Sequence, residues 1–308
     1  MSTFTKIVVG FDGSDQGRDA LALGKVLSRL SSDELLVASV IADEGTDPGT
    51  EHADEVASLI GGDDVVARPL LLRGSSPARA LHELVDSDPD CGLIVLGSTH
   101  RAGLGRVLPG SVAERLLSGA PCAVAVAPRG FAGSADAGER PSRSAPAHVP
   151  DIRVIAVGFD GSIESRIALE RSAELADLGG AALRVVAVGQ QLTPLDQSRA
   201  AERTPQVRFD DLETLLHDVV AELPSELRAL PIFERGDAAR VLLARAEERV
   251  DLLAVGSRGY GPLRSVLIGG VSSELVRRAP CPVLVTPRAA VTQSPDGDSP
   301  GSSAERRG

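Results

Sequence analysis

Gly256-Ser-Arg-Gly259-Tyr-Gly-Pro-Leu-Arg-Ser-Val-Leu-Ile-Gly269-Gly270-Val-Ser272 follows the apolar run Leu252 to Val255 and leads into Val271 to Arg277. The apolar run reads as a short buried strand and the last stretch as the start of a helix. Glycines therefore mark the exit of a strand and the mouth of a helix. Glycine permits positive φ and a bare backbone that an anion can approach. A helix N-terminus adds unpaired N–H donors and partial positive charge. The outline is that of a phosphate cradle, although an ordinary glycine-rich turn would read the same way.

The stretch occurs twice. Gly97-Ser-Thr-His100-Arg-Ala-Gly-Leu-Gly-Arg-Val-Leu-Pro-Gly110-Ser111-Val112 follows Leu93 to Leu96. The offset is constant, 256 − 97 = 159 and 269 − 110 = 159, and it holds for Ala120-Pro121-Cys122 against Ala279-Pro280-Cys281. Upstream, Val9-Gly10-Phe11-Asp12-Gly13-Ser14 matches Val157-Gly158-Phe159-Asp160-Gly161-Ser162, with 160 − 12 = 148. The difference, 159 − 148 = 11, is an insertion in the second copy. The chain is a tandem duplication.

Each copy alternates short apolar strands with amphipathic helices. In the first, strands are expected at 7–11, 35–41, 65–72, 93–96 and 123–126. Helices are expected after Ser14, over 51–59, from Pro77 to Val85 and over 111–117. The second repeats the cycle from Val154, with helices at 163–178, 209–223 and 237–248. Continuous apolar strands imply a sheet covered on both faces. The expected fold class is α/β, two tandem doubly wound, five-stranded, mostly parallel sheets of strand order 3-2-1-4-5. The expected units are 1–129 and 151–288. Residues 130–150 read as a flexible Gly/Ala/Ser/Pro linker, 190–206 as a long loop, and 289–308 as a disordered tail.

The 308 residues suit two domains of about 150 residues each. The net charge of −11 argues against nucleic acid and anionic membranes as partners. No apolar run approaches the roughly 20 residues of a membrane helix, and no signal-type leader is visible, so a cytoplasmic location is expected. Cys91, Cys122 and Cys281 have no CxxC spacing and read as small buried residues. Neither they nor the five histidines form a metal-ligand pattern.

In doubly wound sheets, ligands bind beyond the carboxyl ends of the strands where strand order reverses. Asp12 and Asp160 end the first strands, and Gly97 and Gly256 end the fourth. Each pair converges on one crevice. The carboxylates either accept hydrogen bonds from ribose hydroxyls or serve as turn and cap residues in Asp-Gly-Ser.

These motifs resemble the universal stress protein family as a tandem two-domain member, over roughly residues 5–129 and 152–288. The family pattern is Gly-x2-Gly-x9-Gly-(Ser/Thr). The second copy matches at Gly256, Gly259 and Gly269 but carries Gly270 in place of the hydroxyl residue. The first matches at Gly97, Gly110 and Ser111 but carries His100 in place of the second glycine. The resemblance implies that ATP, with Mg, or a related adenine nucleotide occupies the crevice. It implies that Val40 and Val188 border the adenine. Val112, Val271 and Ser272 complete the helix mouths, with Ser272 a substitute for the missing hydroxyl. His100 either clashes with a phosphate or donates to it. Arg101, Arg106, Arg258 and Arg264 either reach phosphates or stay solvated.

No Walker A pattern and no nucleophile–base pair is visible, and an adenylate-forming transferase would need elements absent here. The expected function is therefore an ATP-binding stress-response regulator, with at most slow ATP hydrolysis or autophosphorylation. The alternatives are a cyclic-AMP binder and a ligand-free interaction module. The fifth strands would be exposed sheet edges. Their pairing into an intramolecular pseudo-dimer is expected, and a homodimer of the whole chain follows from the family alone.

Overall fold

The computed structural model describes residues 3–41, 56, 65, 67–134, 151–189, 209–257 and 270–287. In the first repeat the elements are β1 (Lys6–Gly10), α1 (Asp15–Ser31), β2 (Glu34–Ile41), β3 (Ala67–Arg73), α2 (Pro77–Ser87), β4 (Leu93–Gly97), α3 (Ser111–Leu117), β5 (Ala123–Ala127) and α4 (Phe131–Ser134). The second has β6 (Val154–Phe159), α5 (Ile163–Gly179), β7 (Ala182–Gly189), α6 (Phe209–Ala221), a 3-10 turn at Ser225–Leu227, β8 (Leu230–Arg235), α7 (Ala238–Ala246), β9 (Leu252–Gly256), α8 (Gly270–Arg278) and β10 (Val283–Thr286).

All ten strands form one sheet, ordered β3-β2-β1-β4-β5-β10-β9-β6-β7-β8. Within each repeat every pairing is parallel and the order is 3-2-1-4-5. The repeats meet antiparallel through β5 and β10, with Val283 opposite Val126, Leu284 opposite Ala125 and Val285 opposite Val124. Since 284 − 125 = 159, Ala125 faces its own counterpart. A local pseudo-two-fold passes through that pair, and each edge strand covers the other.

Alternation along the strands places the core. Ile7 and Val9 face one side of the sheet with α1, while Val8 faces the other. Ala20, Leu23 and Leu27, on one stripe of α1, are fully buried. The α1 side is continuous across both repeats, because α1 also packs on α5. There Arg171 donates to the Thr3 carbonyl and lies over the Phe4 ring. The opposite face is covered by α2, α3, α7 and α8.

One difference from the sequence reading concerns the repeat boundary. Residues 130–134 are not linker: α4 packs on α1, and Phe131 is buried. The cause is Asp19, a buried carboxylate on α1. Its oxygens accept the amides of Gly130 and Ala132, both at 2.8 Å. Composition could not show that anchor, which lies over a hundred residues upstream. Of the helix expected over 51–59, only Val56 is described, and it is helical and buried. The 190–206 loop, residues 135–150 and the 289–308 tail lie outside the described residues.

Candidate functional site

The first turn after β1 is built by the side chains of Asp12 and Ser14 and one unusual backbone angle. Gly13 has φ of 77°, which L side chains rarely adopt. Asp12 Oδ1 accepts from the Ser14 amide at 3.1 Å and from the Ser14 hydroxyl. Ser14 Oγ accepts from the Gly17 amide at 3.1 Å and caps α1. The second repeat is the same to the atom: Gly161 has φ of 77°, Asp160 Oδ1 takes the Ser162 amide and hydroxyl, and Ser162 Oγ takes the Ser165 amide. The turn-and-cap role of both aspartates is thus real, and Asp12 is still exposed to solvent.

Sheet register sets what surrounds them. Gly10 pairs with Ala38 and Val9 with Val95, so Asp12 emerges level with Val40 on one flank and just past Gly97 on the other. In the second repeat Phe159 pairs with Ala187 and Val157 with Ala254, which brings Asp160 to Val188 and Gly256. Val40 and Val188 are half-buried at the mouth of their strands. The convergence of acidic residue, valine and glycine on each switch point is therefore present.

The glycines of the motif have different reasons. A Cβ on Gly97 would overlap the Gln16 carbonyl oxygen, and one on Gly256 would lie 2.5 Å from the Glu164 carbonyl carbon. Since 164 − 16 = 148, these are the same contact in both copies: strand end against the first turn of the helix. Close packing demands glycine there, with or without a ligand. Gly110 is the opposite case. Its φ is −82°, and a Cβ would meet nothing within 4 Å. It caps α3 with no side-chain hydrogen bond to the first amides of that helix. Gly270 opens α8, and a Cβ there also meets nothing within 4 Å among the described residues.

The first glycine loop is pinned at several points. Buried Ser98 donates to the Ala127 carbonyl at 2.7 Å and accepts the Leu108 amide at 3.1 Å. Thr99 N donates to Leu108 O at 2.8 Å, and the Arg129 guanidinium to Ala102 O at 2.9 Å. Ser257, the counterpart of Ser98, is also buried, but its hydroxyl has no partner among the described residues. His100, Arg101 and Ser111 are exposed, while Val112 and Val271 lean on the core. Gly259, Gly269, Arg258 and Arg264 lie outside the described residues.

Two expectations are corrected. Ser272 is buried rather than standing at the mouth of α8. It occupies the position of Ala113 (272 − 113 = 159), and residues two apart on a helix point to opposite sides. Arg106 does not reach toward the crevice. Its guanidinium donates to Arg278 O at 3.2 Å and Glu247 Oε1 at 3.1 Å in the other repeat.

Asp19 was invisible as a functional element, although a carboxylate in register with Leu23 and Leu27 is a detectable anomaly on an apolar stripe. Burial pushes its pKa up, against the pull of the two amides it accepts. Burial also pushes the Cys91 thiol up to about 11 and those of Cys122 and Cys281 up to about 12. All three therefore stay protonated and act as small apolar residues. Among the described residues, no three His, Cys, Asp or Glu side chains gather as a metal site. No helix among them is long and apolar enough to cross a membrane.

Comparison with known proteins agrees with this architecture. The model of the universal stress protein family matches residues 3–128 and 151–287. A universal stress protein of Mycobacterium tuberculosis is 26% identical over 303 residues, covering 91% of this chain and 99% of its own length. One from Bacillus subtilis matches a single unit, 29% identical over 140 residues, 42% of this chain and 95% of its own. The solved universal stress protein of Archaeoglobus fulgidus DSM 4304 superposes with a TM-score of 0.64 at 20% identity, over 92% of this chain and 99% of that one. Two family matches in one chain, each on a 3-2-1-4-5 half-sheet, make the protein a tandem member of the universal stress protein family.

Proposed function

We propose that the protein binds an adenine nucleotide, ATP with Mg, at the switch-point crevices, and that occupancy regulates its part in a stress response. The observation that carries this reading is the contrast between the strand-end glycines and the glycines at the helix mouths, Gly110 and, at the position of Ser111, Gly270. Packing accounts for Gly97 and Gly256, but nothing among the described residues requires glycine at Gly110 or Gly270. Both stand at helix mouths where an added Cβ meets no described atom within 4 Å. A bare backbone there suits a phosphate held by helix amides. On this reading exposed Asp12 would accept hydrogen bonds from ribose hydroxyls, and Val40 would border an apolar base edge. Magnesium would arrive on the phosphates, since it is commonly held by them with few protein ligands.

A second reading, a cyclic or monophosphate nucleotide, is favoured by Gly270 in place of a hydroxyl residue and by the burial of Ser272, which withdraws that hydroxyl from the second mouth. Equilibrium dialysis of the nucleotide-stripped chain against ATP with Mg, AMP and cyclic AMP separates the two. Saturable ATP retention, reduced in Asp12→Ala/Asp160→Ala, is the expected result. Retention of none of the three would leave the fold as a ligand-free interaction module.

A further inference from the structure

The walls of the first crevice are held in part from the second repeat. The loop and helix of the first crevice are tied to the second repeat by a set of contacts clustered at one end of α8. Val107 N donates to Ala279 O at 2.9 Å. The Arg106 guanidinium bonds Arg278 O, at the carboxyl end of α8, and pairs with Glu247 at 3.1 Å. A cation at that end also meets the negative pole of the helix. In addition, Arg277 pairs at 3.3 Å with Glu114. Glu114 lies in the first turn of α3, at the mouth that Gly110 opens.

That last pair has an electrostatic consequence. A carboxylate in the first turn of α3 suits the helix dipole but repels any anion docking on the same amides. Arg277, reaching from the other repeat, offsets that charge. The arrangement has no mirror image. Under the offset of 159, the counterparts of Arg106, Glu114 and Arg277 are Ser265, Ser273 and Ser118. Among the described residues, these side-chain charges cross the seam at the first crevice.

Building on the nucleotide reading above, we propose that the second repeat completes the first site. Arg277 is a positioning residue that neutralises Glu114 at the phosphate mouth. The contacts of Arg106 and Val107 with the end of α8 hold the loop that carries His100.

The test uses the full chain. In an Asp160→Ala background, calorimetric heat reports the first crevice. There Arg277→Ala weakens ATP binding up to about fivefold, the scale of an exposed ion pair. Adding Glu114→Gln restores the affinity, because the uncompensated charge is gone; a merely structural role for Arg277 would not be rescued this way. Independently of any nucleotide, hydrogen exchange at the Val107 and Thr99 amides accelerates in Arg106→Ala. Unchanged affinity in Arg277→Ala, or no rescue by Glu114→Gln, overturns the electrostatic role, and unchanged exchange overturns the clamp. If the wild-type chain binds no nucleotide while exchange still accelerates, the clamp stands and the nucleotide reading falls.

Discussion

The first and second crevices share one blueprint and differ in their supports. In both, Asp-Gly-Ser forms the same turn and cap, and a strand-end glycine meets the first turn of the next helix. These parts are copied because each is forced by backbone geometry. The supports around the mouths are side-chain choices, and they have diverged. The first crevice has a loop pinned by Ser98 and tied across the seam, and a hydroxyl at Ser111. The second has Gly270 at its mouth and a serine turned inward. Backbone-imposed features survive duplication, while charge and hydroxyl placement can make two copies unequal.

The sharpest way to break this comparison is at the strand-end glycines. Gly97→Ala and Gly256→Ala each force a Cβ into helix backbone, and each should cost about 1–3 kcal/mol or more. Urea denaturation would show it, with both copies affected alike. Asp19→Ala comes next. It leaves the Gly130 and Ala132 amides without their acceptor, at a cost of about 1–3 kcal/mol, and should raise proteolysis after Arg129. No counterpart cost is expected in the second repeat, where the equivalent position is Ile167 (167 − 19 = 148). Ser14→Ala and Ser162→Ala should each cost about 1 kcal/mol for a lost helix cap. Equal values would confirm that the caps are true copies.

The smallest effect is in pH. The Asp19 carboxyl is raised above its usual value of 3.8 by burial. A raised carboxyl contributes stability fully below its unfolded value and loses it as pH rises through the folded one. The stability of the wild type relative to Asp19→Asn should therefore decline from about pH 3.8 upward, as followed by denaturation midpoints at stepped pH. A rising difference would contradict the direction.

Much of this was legible in the residues. Apolar runs bounded by glycine and serine placed the strands, since a doubly covered parallel strand needs no polar face. The offset of 159 gave the duplication, and the edge argument gave the β5–β10 pairing. What could not be read depends on long-range contacts. Gly97 and Gly110 look alike as letters, yet one touches helix backbone and the other touches nothing. Arg106 sits in a loop that suggests phosphate, but its nearest partners come from the other repeat. Ser272 is near the mouth in sequence, yet helical geometry turns it inward.

The most direct test of the central claim uses the glycines that the fold does not need. Gly110→Val and Gly270→Val, combined in one chain, put a side chain where a phosphate would approach and meet no protein atom nearby. Calorimetric titration with Mg-ATP should show saturable heat in the wild type and none in the variant, with thermal unfolding nearly unchanged. Equal binding by the variant would contradict the account, and would place any nucleotide elsewhere than at these two helix mouths.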